Sequence, residues 1–479
     1  MSVSLNALSL AIISRRLGEF DLGLYSLERR SMALLQPLAL MGLSVATPRY
    51  VALALAGKSG RQAEYAIAGV AITASIGISI TILILLFPHL VALVVFGDAK
   101  AIALAQALAG FTLAMTMFQI VYSVFRGRLA MTRANLLELS VIGVVPVTVA
   151  ALGSTDLVRF MWTLNTGIAV IILITLLVHL PALPLRTWPS PRVVLARGCE
   201  LLKFGLVRTP GDLSVVALFS LAPIAVVHWA GAVDAGYTAV VQSSVNLVSV
   251  FAVPLGVVLL PHVATEAASA RGVEERRYRL LSHAAIDMSI GVAAVFFVAS
   301  PLIVGFWLPS APASAVHATE VAAFAIPGYV FYLIFRSYLD AIDTRPLSSI
   351  AVTGALLLLI VLLPVTLVTL PIAAPVAASV SVAAALTFAG TITFWFTRHH
   401  VSGMIDRQHA VFGVVALGTA VPLGVFSASR GPLVVGLSVL AVAMILTGML
   451  VALRRQWLVE LRSRLFGRAR SASMSNTSK

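Results

Sequence analysis

The sequence has few charged residues for its length. Asp, Glu, Lys and Arg together make up 11% of the 479 residues, whereas 59% are hydrophobic, and the mean hydropathy is +1.01. A soluble domain carries about 25% charged residues, so this composition excludes a soluble globular chain. Cysteine is also scarce. Because Cys199 is the only one, an internal disulfide and a cysteine metal cluster are excluded.

Long hydrophobic runs recur along the whole chain. They have about the length that a helix needs to cross a hydrocarbon core. Their apolarity is continuous, whereas the strands of an outer-membrane barrel alternate in polarity. The sequence therefore predicts an all-α integral membrane protein with about 14 transmembrane helices, at residues 2–15, 31–53, 66–88, 101–122, 135–153, 159–181, 209–228, 236–260, 284–307, 317–337, 346–368, 374–396, 409–427 and 432–453. The first run has no charged leader and no cleavage site, so we expect a span rather than a removable signal.

Basic residues are unevenly distributed between the two sets of loops. The predicted spans put 26 of the 33 Lys and Arg residues on one side. Since cytoplasmic loops hold the excess of Lys and Arg, both termini are predicted to be cytoplasmic. The net charge of +14 then reflects topology, and we expect no nucleic-acid partner. The basic segment 454–479 is expected to be a cytoplasmic tail on anionic lipid headgroups.

One pattern occurs twice at a fixed spacing. The matched pairs, each 213 residues apart, are Gly18 and Gly231, Asp21 and Asp234, Gly23 and Gly236, and Pro48 and Pro261. An even number of predicted spans separates the copies, so the two halves share one orientation. In each copy, Gly permits a tight turn between spans and Asp can cap the next helix. Parallel repeats with a substrate path between them occur in secondary transporters.

The repeat also predicts how the chain is divided. We expect two parallel six-helix lobes, at residues 1–182 and 183–400. The last two spans have no repeat partner, so residues 401–453 are predicted to be an appended helix pair, followed by the tail.

The N-terminal segment resembles that of bacterial polysaccharide flippases. The matching motifs are an Arg-x-Leu-Gly run from Arg15 to Gly18, a Gly-Leu-Tyr from Gly23 to Tyr25, and an Arg-Tyr pair at Arg49 and Tyr50. These flippases are O-antigen and teichoic-acid exporters of the multidrug/oligosaccharidyl-lipid/polysaccharide exporter superfamily. The resemblance implies that two lobes move undecaprenyl-diphosphate-linked oligosaccharides from the cytoplasmic to the outer leaflet of the inner membrane by alternating access.

The sequence also departs from part of that superfamily. Lipid II flippases carry a double Arg inside the second helix, about where Gln36 lies here, which disfavours a lipid II substrate. The extra helix pair resembles the fourteen-helix members. The resemblance further implies a role in assembling the bacterial envelope, with membrane lipids around the chain, glycosyltransferases or a polymerase of the same pathway as partners, and no cofactor.

Arginines at helix ends are the first candidates for substrate binding. A diphosphate can pass hydrocarbon only where cations and dipoles replace its water, and the planar guanidinium binds two phosphate oxygens at once. Arg49 follows Pro48, and its repeat mate His262 follows Pro261. We expect Arg49 and His262 to face each other at the cytoplasmic mouth. The alternative is that both side chains reach the inner headgroups.

Further candidates lie at the inner ends of later helices. Arg208 and Asp212 are four residues apart, hence on one helix face. They are expected to form either a neutralised ion pair or a cavity element in which Asp212 carries the coupling proton or sodium ion. Arg336 has Tyr332 one turn earlier, so this cation and aromatic ring could bind phosphate and sugar together.

Two arginines are predicted at the outer mouth. Arg15 and Arg16 could receive the diphosphate after the conformational switch. Glu19 and Asp21 are close in sequence and could instead neutralise both arginines.

Two other function classes fit the composition less well. A cation-coupled multidrug antiporter of the same superfamily requires a carboxylate deep in a span, whereas Glu138, Asp212, Asp287, Glu320 and Asp340 all lie near predicted interfaces. A membrane enzyme requires an extracytoplasmic platform with acid and base groups, but the predicted outer loops are short. There is no Gly-rich phosphate loop of an ATPase. The sequence therefore predicts a transporter and not an enzyme.

Overall fold

The computed structural model describes residues 2–57, 60–179, 189–267, 275–310, 312–342, 345–428 and 431–453, and no strand occurs within these ranges. Its helices are α1 (Ser2–Leu17), α2 (Glu19–Leu40), α3 (Leu43–Leu55), α4 (Gln62–Leu86), α5 (Pro88–Phe96), α6 (Ile102–Gly127), α7 (Met131–Glu138), α8 (Val145–Leu152), α9 (Leu157–His179), α10 (Pro191–Leu206), α11 (Thr209–Ala230), α12 (Ala232–Leu247), α13 (Ser249–Ala267), α14 (Glu275–Val298), α15 (Ser300–Trp307), α16 (Ala313–Ala323), α17 (Ile326–Ile342), α18 (Leu347–Thr369), α19 (Ala374–Thr397), α20 (Arg407–Ala428) and α21 (Pro432–Leu453). A π-helical segment, Leu139–Val144, joins α7 to α8.

Every predicted span coincides with a helix or with consecutive helices. Among the described residues, 10 helices are long and apolar enough to cross a membrane, or up to 13 if each bent pair is one span. Helix α1 has 16 residues and is not among them, because only helices of at least 18 residues are counted. The bent pairs are α2 with α3 (44°), α12 with α13 (41°) and α16 with α17 (48°). The predicted all-α membrane fold is therefore confirmed.

The second span begins earlier than predicted. Helix α2 starts at Glu19 rather than near residue 31, so most of the expected outer loop is helical. Gly18 alone makes the turn between α1 and α2. The charged residues Glu28, Arg29 and Arg30, expected in the loop, therefore lie inside a helix. Of these three, Arg29 contacts an aromatic ring, with its guanidinium 5.7 Å from the ring of Tyr25.

The two repeated glycines have the same backbone conformation. Gly18 has φ 89° and ψ 175°, and Gly231 has φ 90° and ψ 178°. The amide of Gly18 donates to the Ser14 carbonyl and that of Gly231 to the Val227 carbonyl, both at 3.1 Å. This region of φ and ψ is open essentially only to glycine. The repeated glycine therefore makes the helix turn that the sequence predicted.

The other repeated positions are also placed alike. Asp21 and Asp234 lie in the first turns of α2 and α12, where the helix dipole favours a negative charge. The N-cap residue of α2 is Gly18, which has no side chain to cap the helix. A further pair 213 residues apart, Pro88 and Pro301, lies at the start of the short helices α5 and α15.

Helices α2 and α12 cross at the third repeated glycine. A Cβ atom on Gly23 would lie 2.1 Å from the Ala232 carbonyl oxygen. One on Gly236 would lie 2.8 Å from the Gly23 Cα and 3.6 Å from the carbonyl oxygen of Glu19. Glu19 and Ala232 are themselves 213 residues apart. The two copies therefore exchange contacts reciprocally, as across a twofold axis.

Contacts divide the chain into two compact units. One contains Met1–Leu247, Val304–Ala318 and Ser349–Ala385, and the other contains Val248–Ile303, Thr319–Ser348 and the residues from Leu386 onward. The lobe boundaries at 182/183 and 400/401 stay a prediction. The first of them, and the whole segment 454–479, lie outside the described residues.

The appended helix pair packs within the second unit. Helices α20 and α21 share an apolar core with α14, formed by Ala294, Val298, Phe412, Ala416, Ala420, Val442 and Leu446. Close contact also joins α17 to α19, because a Cβ on Gly390 would lie 2.4 Å from the Cα of Gly328.

Candidate substrate site

Helix α10 positions an aromatic residue beside α3. The last turn of α10 approaches the start of α3 so closely that a Cβ on Gly42 would lie 2.2 Å from the carbonyl oxygen of Gly205. Gly42 has φ 74°, in the left-handed region that favours glycine. Phe204, which precedes Gly205, is thereby held next to α3.

Two of the predicted arginines meet at this ring. The guanidinium carbon of Arg49, in α3, is 4.4 Å from the centroid of the Phe204 ring. That of Arg208, the N-cap residue of α11, is 4.6 Å from the same centroid. Tyr50 contacts the ring edge-on, with centroids 5.9 Å apart. We refer to Arg49, Tyr50, Phe204 and Arg208 as the arginine-aromatic cluster.

The cluster carries two positive charges that form no salt bridge with the described residues. Both arginine side chains are exposed, and neither forms a salt bridge with any residue that the structure describes. Guanidinium groups in this state are available to an anion. Stacked on one aromatic ring, they also hold a restricted orientation.

Neighbouring arginines are, by contrast, neutralised. Arg61 Nε lies 2.8 Å from Glu64 Oε1, and Arg197 Nε lies 3.2 Å from Glu64 Oε2. A second nitrogen of Arg197 lies 3.2 Å from Glu200 Oε2. Burial alone would lower the pKa of Arg197, but the hydrogen bonds that it donates to Glu64 and Glu200 outweigh burial and raise this pKa. The positive charges of this region therefore divide into a paired set and the open pair of the cluster.

Aromatic rings connect the two sets. Tyr65 donates a 2.9 Å hydrogen bond to Glu200 Oε2, and its ring lies 5.3 Å from that of Tyr50. Arg197 lies over the Tyr65 ring at 5.0 Å. Tyr50 therefore joins the rest of the arginine-aromatic cluster to the neutralised arginine network through its contacts with Phe204 and Tyr65.

Three other candidates stay predictions in their roles. Asp212 lies, partly buried, in the first turn of α11, and its amide donates to the Arg208 carbonyl at 3.2 Å. The Arg336 guanidinium lies 5.9 Å from the Tyr332 ring, within the second unit, as the sequence spacing predicted. His262 lies in α13, but its side chain is outside the described residues.

The predicted outer-mouth arginines lie at the end of α1. Both are exposed. Arg16 donates hydrogen bonds to the carbonyl oxygens of Ala150 at 2.7 Å, Ala151 at 2.5 Å and Gly153 at 3.2 Å. These carbonyls belong to the C-terminal end of α8, where a cation is favourable.

Glu19, a suggested partner of Arg16, instead accepts hydrogen bonds from other residues. Its donors are Tyr237, at 2.5 Å, and Ser310. The α8 carbonyls therefore hold the Arg16 side chain at the end of α8, and the outer-mouth role of Arg15 and Arg16 stays a prediction.

A carboxylate deep in a helix was missed by the sequence analysis. Glu28 of α2 is 1% exposed, and neither of its carboxylate oxygens has a hydrogen-bond partner among the described residues. The predicted carboxylates near the interfaces therefore left out a buried one. The cause of this omission was the late predicted start of the second span, which placed Glu28 in a loop.

Arg30 links the two copies of the repeat. It donates to the Ala239 carbonyl oxygen at 3.1 Å and to Ser243 Oγ at 2.6 Å. Ser243 lies 213 residues after Arg30 and is therefore the equivalent residue in the second copy of the repeat. The contact therefore lies close to the pseudo-twofold axis, as the Gly23 and Gly236 contact does.

These features define a polytopic helical membrane protein built from two copies of one helical repeat. Compared by sequence, the chain matches no protein-family model and no curated protein. Its structure is similar to the lipid II flippase MurJ in an inward closed conformation, with a TM-score of 0.71, 12% identity, and coverage of 95% of this chain and 98% of that chain.

Multidrug transporters are similar as well. The inward-facing structure of a multidrug resistance MATE family transporter of the MOP superfamily matches with a TM-score of 0.68 and 16% identity, over 84% of this chain and 95% of that chain. An outward-facing structure of such a transporter matches with a TM-score of 0.53 and 15% identity, over 84% and 96%. The chain therefore has the same fold as these flippase and transporter structures.

Proposed function

We propose that this chain is a secondary transporter that flips polyprenyl-diphosphate-linked oligosaccharides from the cytoplasmic to the outer leaflet by alternating access, for surface polysaccharide assembly. The observation that carries the proposal is the arginine-aromatic cluster. Its two guanidinium groups suit the two phosphates, because each binds phosphate oxygens in a bidentate manner. The rings of Phe204 and Tyr50 supply an apolar surface for the first sugar.

The predicted sidedness of the cluster supports this direction. Arg49 and Arg208 belong to the side that holds most of the Lys and Arg, which we take as cytoplasmic. A substrate made in the cytoplasm would meet the cluster first. Glycosyltransferases or a polymerase of the same pathway would then be its functional partners.

The extent of the fold agrees with a flippase. The lipid II flippase structure covers 95% of this chain, against 84% for the MATE structures named above. Helices α20 and α21 add length beyond a twelve-helix transporter. We attribute α20 and α21 to the transport of a substrate with a long lipid tail.

The test is the double variant Arg49→Ala, Arg208→Ala in proteoliposomes loaded with a fluorescent polyprenyl-diphosphate oligosaccharide. Each lost charge-assisted interaction is worth about 1.5 to 3 kcal/mol, so substrate affinity should fall about tenfold or more per arginine. Arg61→Ala is the matched control, because it removes a neighbouring arginine that Glu64 already neutralises. Equal flipping by the control and the double variant would contradict the proposal.

Cys199 provides a direct test of topology. It is the only cysteine of the chain and is exposed on α10, which we place on the cytoplasmic side. A membrane-impermeant maleimide should therefore label inside-out vesicles and leave right-side-out vesicles unlabelled. The reverse pattern would invert the orientation and with it the direction of transport.

A second candidate function is supported by Glu28. A buried carboxylate can exchange a proton or sodium ion for a cationic drug, as a cation-coupled multidrug antiporter requires. An antiporter would lose dye efflux in Glu28→Gln and keep it in the arginine double variant. A flippase of anionic lipids would instead fail in the double variant and bind its substrate normally in Glu28→Gln.

A further inference from the structure

A cluster of histidines and carboxylates lies in the second unit, apart from the residues of the proposed function. His283 and Asp287 belong to α14, and His409 belongs to the first turn of α20. Asp406 is in the segment that precedes α20. One possible ligand atom from each of His283, Asp406 and His409 lies within 4.8 Å of the others.

Each histidine has one ring nitrogen directed at a hydrogen-bond acceptor outside this group of three. His283 Nε2 lies 2.9 Å from the Gly403 carbonyl oxygen, and His409 Nδ1 lies 2.6 Å from Asp287 Oδ1. In a neutral imidazole, one nitrogen carries the proton and the other carries a lone pair. When the ring protons lie on these outer nitrogens, His283 Nδ1 and His409 Nε2 carry the lone pairs that a metal ion needs.

Both of those inner nitrogens face the same carboxylate. His283 Nδ1 is 3.2 Å from Asp406 Oδ2, and His409 Nε2 is 3.7 Å from Asp406 Oδ1. In that tautomer, two lone pairs and a carboxylate lie close enough together to share one cation. Asp406 Oδ1 also accepts a 3.1 Å hydrogen bond from the amide of His409.

We propose that His283, Asp406 and His409 bind a divalent transition-metal ion, with Zn²⁺ as the best match. Imidazole and carboxylate are ligands that Zn²⁺ accepts, at about 2.0 to 2.2 Å. Tetrahedral ligands at that distance are about 3.3 Å from one another, close to the separations of the inner nitrogens from Asp406. Two carboxylates, Asp287 and Asp406, match the charge of a divalent ion.

The residues around the three ligands are buried and hydrogen-bonded, as the surroundings of a metal site usually are. The side chain of His409 is 5% exposed and that of Asp287 is 3% exposed. A ligating histidine that donates its other nitrogen to a carboxylate or a backbone carbonyl is held in one tautomer and orientation. Asp287 and Gly403 have this role here. The side chain of Asp406 is 34% exposed, which leaves an entry path for the ion and a position for water.

The segment before α20 is itself fixed to α14. Ser282 Oγ donates to the Met404 carbonyl oxygen at 3.3 Å, and Gly403 has φ 64°, a value that favours glycine. A bound ion would therefore join α14 to the start of the appended helix pair.

The first experiment uses the full-length wild-type protein, purified in detergent without a polyhistidine tag. After chelation and dialysis against micromolar free Zn²⁺, elemental analysis should find one Zn²⁺ per chain. Zn²⁺ should also raise the melting temperature, because a ligand that binds only the folded state stabilises it. Co²⁺ in place of Zn²⁺ should give the visible absorption of a nitrogen and oxygen site.

Variants then locate the ion. His283→Gln and Asp406→Asn should each abolish stoichiometric Zn²⁺ and the rise in melting temperature. Asp287→Asn should weaken Zn²⁺ binding about 10 to 100-fold, the usual effect of losing a partner of a ligating histidine. His400→Gln is the matched control, since His400 is exposed and outside the cluster, and it should bind as the wild type does.

Two results would overturn the proposal. One is a wild-type protein that retains no stoichiometric Zn²⁺ and shows no Co²⁺ absorption, which would mean that protons alone satisfy the cluster. The other is equal Zn²⁺ content in the wild type and in a folded His283→Gln variant. The wild-type Co²⁺ spectrum decides the question even if the variants fail to fold.

Discussion

The two copies of the repeated hairpin share a backbone but differ in their chemistry. Gly18 and Gly231 have φ values of 89° and 90°, with the same hydrogen bonds around them. Ten residues further along, the first copy carries the charged triplet 28–30, whereas the second carries Val, Gln and Ser at 241–243. Backbone geometry has thus been kept where two helices turn and cross. Charge has been placed in one copy only.

This difference shows why the charges can be buried. Arg30 is satisfied by groups of the second copy, since its acceptors are the Ala239 carbonyl and the Ser243 hydroxyl. Glu28 has no such acceptor or donor among the residues described. Arg30 is therefore part of the contact between the copies. Glu28 is not, and its burial lowers stability.

The largest expected effect comes from the helix crossing. Gly23→Ala places a Cβ 2.1 Å from the Ala232 carbonyl oxygen, and a backbone atom cannot move aside as a flexible side chain can. We expect destabilisation by about 3 kcal/mol or more, at the upper end for overpacking. Thermal unfolding in detergent measures it. The control is Gly436→Ala, where no atom lies within 4 Å of the new Cβ; equal melting temperatures for the two variants would refute the crossing.

Removing Arg30 should have the next largest effect. Arg30→Met loses hydrogen bonds from a charged group, worth about 1.5 to 3 kcal/mol. Ser243→Ala removes only one acceptor and should cost less. A double-mutant cycle tests whether the two residues interact, and additive changes in unfolding free energy would contradict the contact.

Strain at the turn should be the same in both copies. Gly18→Ala and Gly231→Ala meet no atom within 4 Å, so the cost is that of the backbone conformation alone, about 1 to 3 kcal/mol. We expect equal losses of melting temperature within error. Unequal losses would mean that the two turns are not equivalent.

The smallest expected effect is of opposite sign. Glu28→Met replaces a buried carboxylate that has no hydrogen-bond partner in the described part of the chain, and it should stabilise by about 1 kcal/mol. Glu64→Met is the comparison, because Glu64 is buried but bonded to Arg61 and Arg197, and its loss should destabilise. Chemical unfolding of both variants would show whether the signs differ.

Most of the fold follows from the sequence, since continuous apolar runs specify membrane helices and the 213-residue repeat specifies two equivalent hairpins. The start of α2 does not follow from it. A charge cluster such as residues 28–30 indicates a loop by itself, and only the contacts with α12 show that it lies in a helix.

The arginines of the candidate site could be predicted from the sequence, but its aromatic residues could not. Arg49 and Arg208 are identifiable as cations at helix ends. Phe204 has no distinguishing signal, because its place depends on the close approach of Gly42 and Gly205, two residues far apart in the chain. The histidine cluster was missed for the same reason, since His283 and His409 are separated by more than a hundred residues.

The contact of Arg30 with Ser243 also limits how such a chain can be assembled. Consider a homodimer of the first copy of the repeat alone, in which two α2 helices cross as α2 and α12 do here. It would bring two Arg30 guanidinium groups together, and like charges away from water repel strongly. The arginine is compatible with this architecture only when the partner position has another side chain. The two halves therefore cannot be exchanged for one another, and fusion into a single polypeptide fixes the unequal pairing at equal stoichiometry.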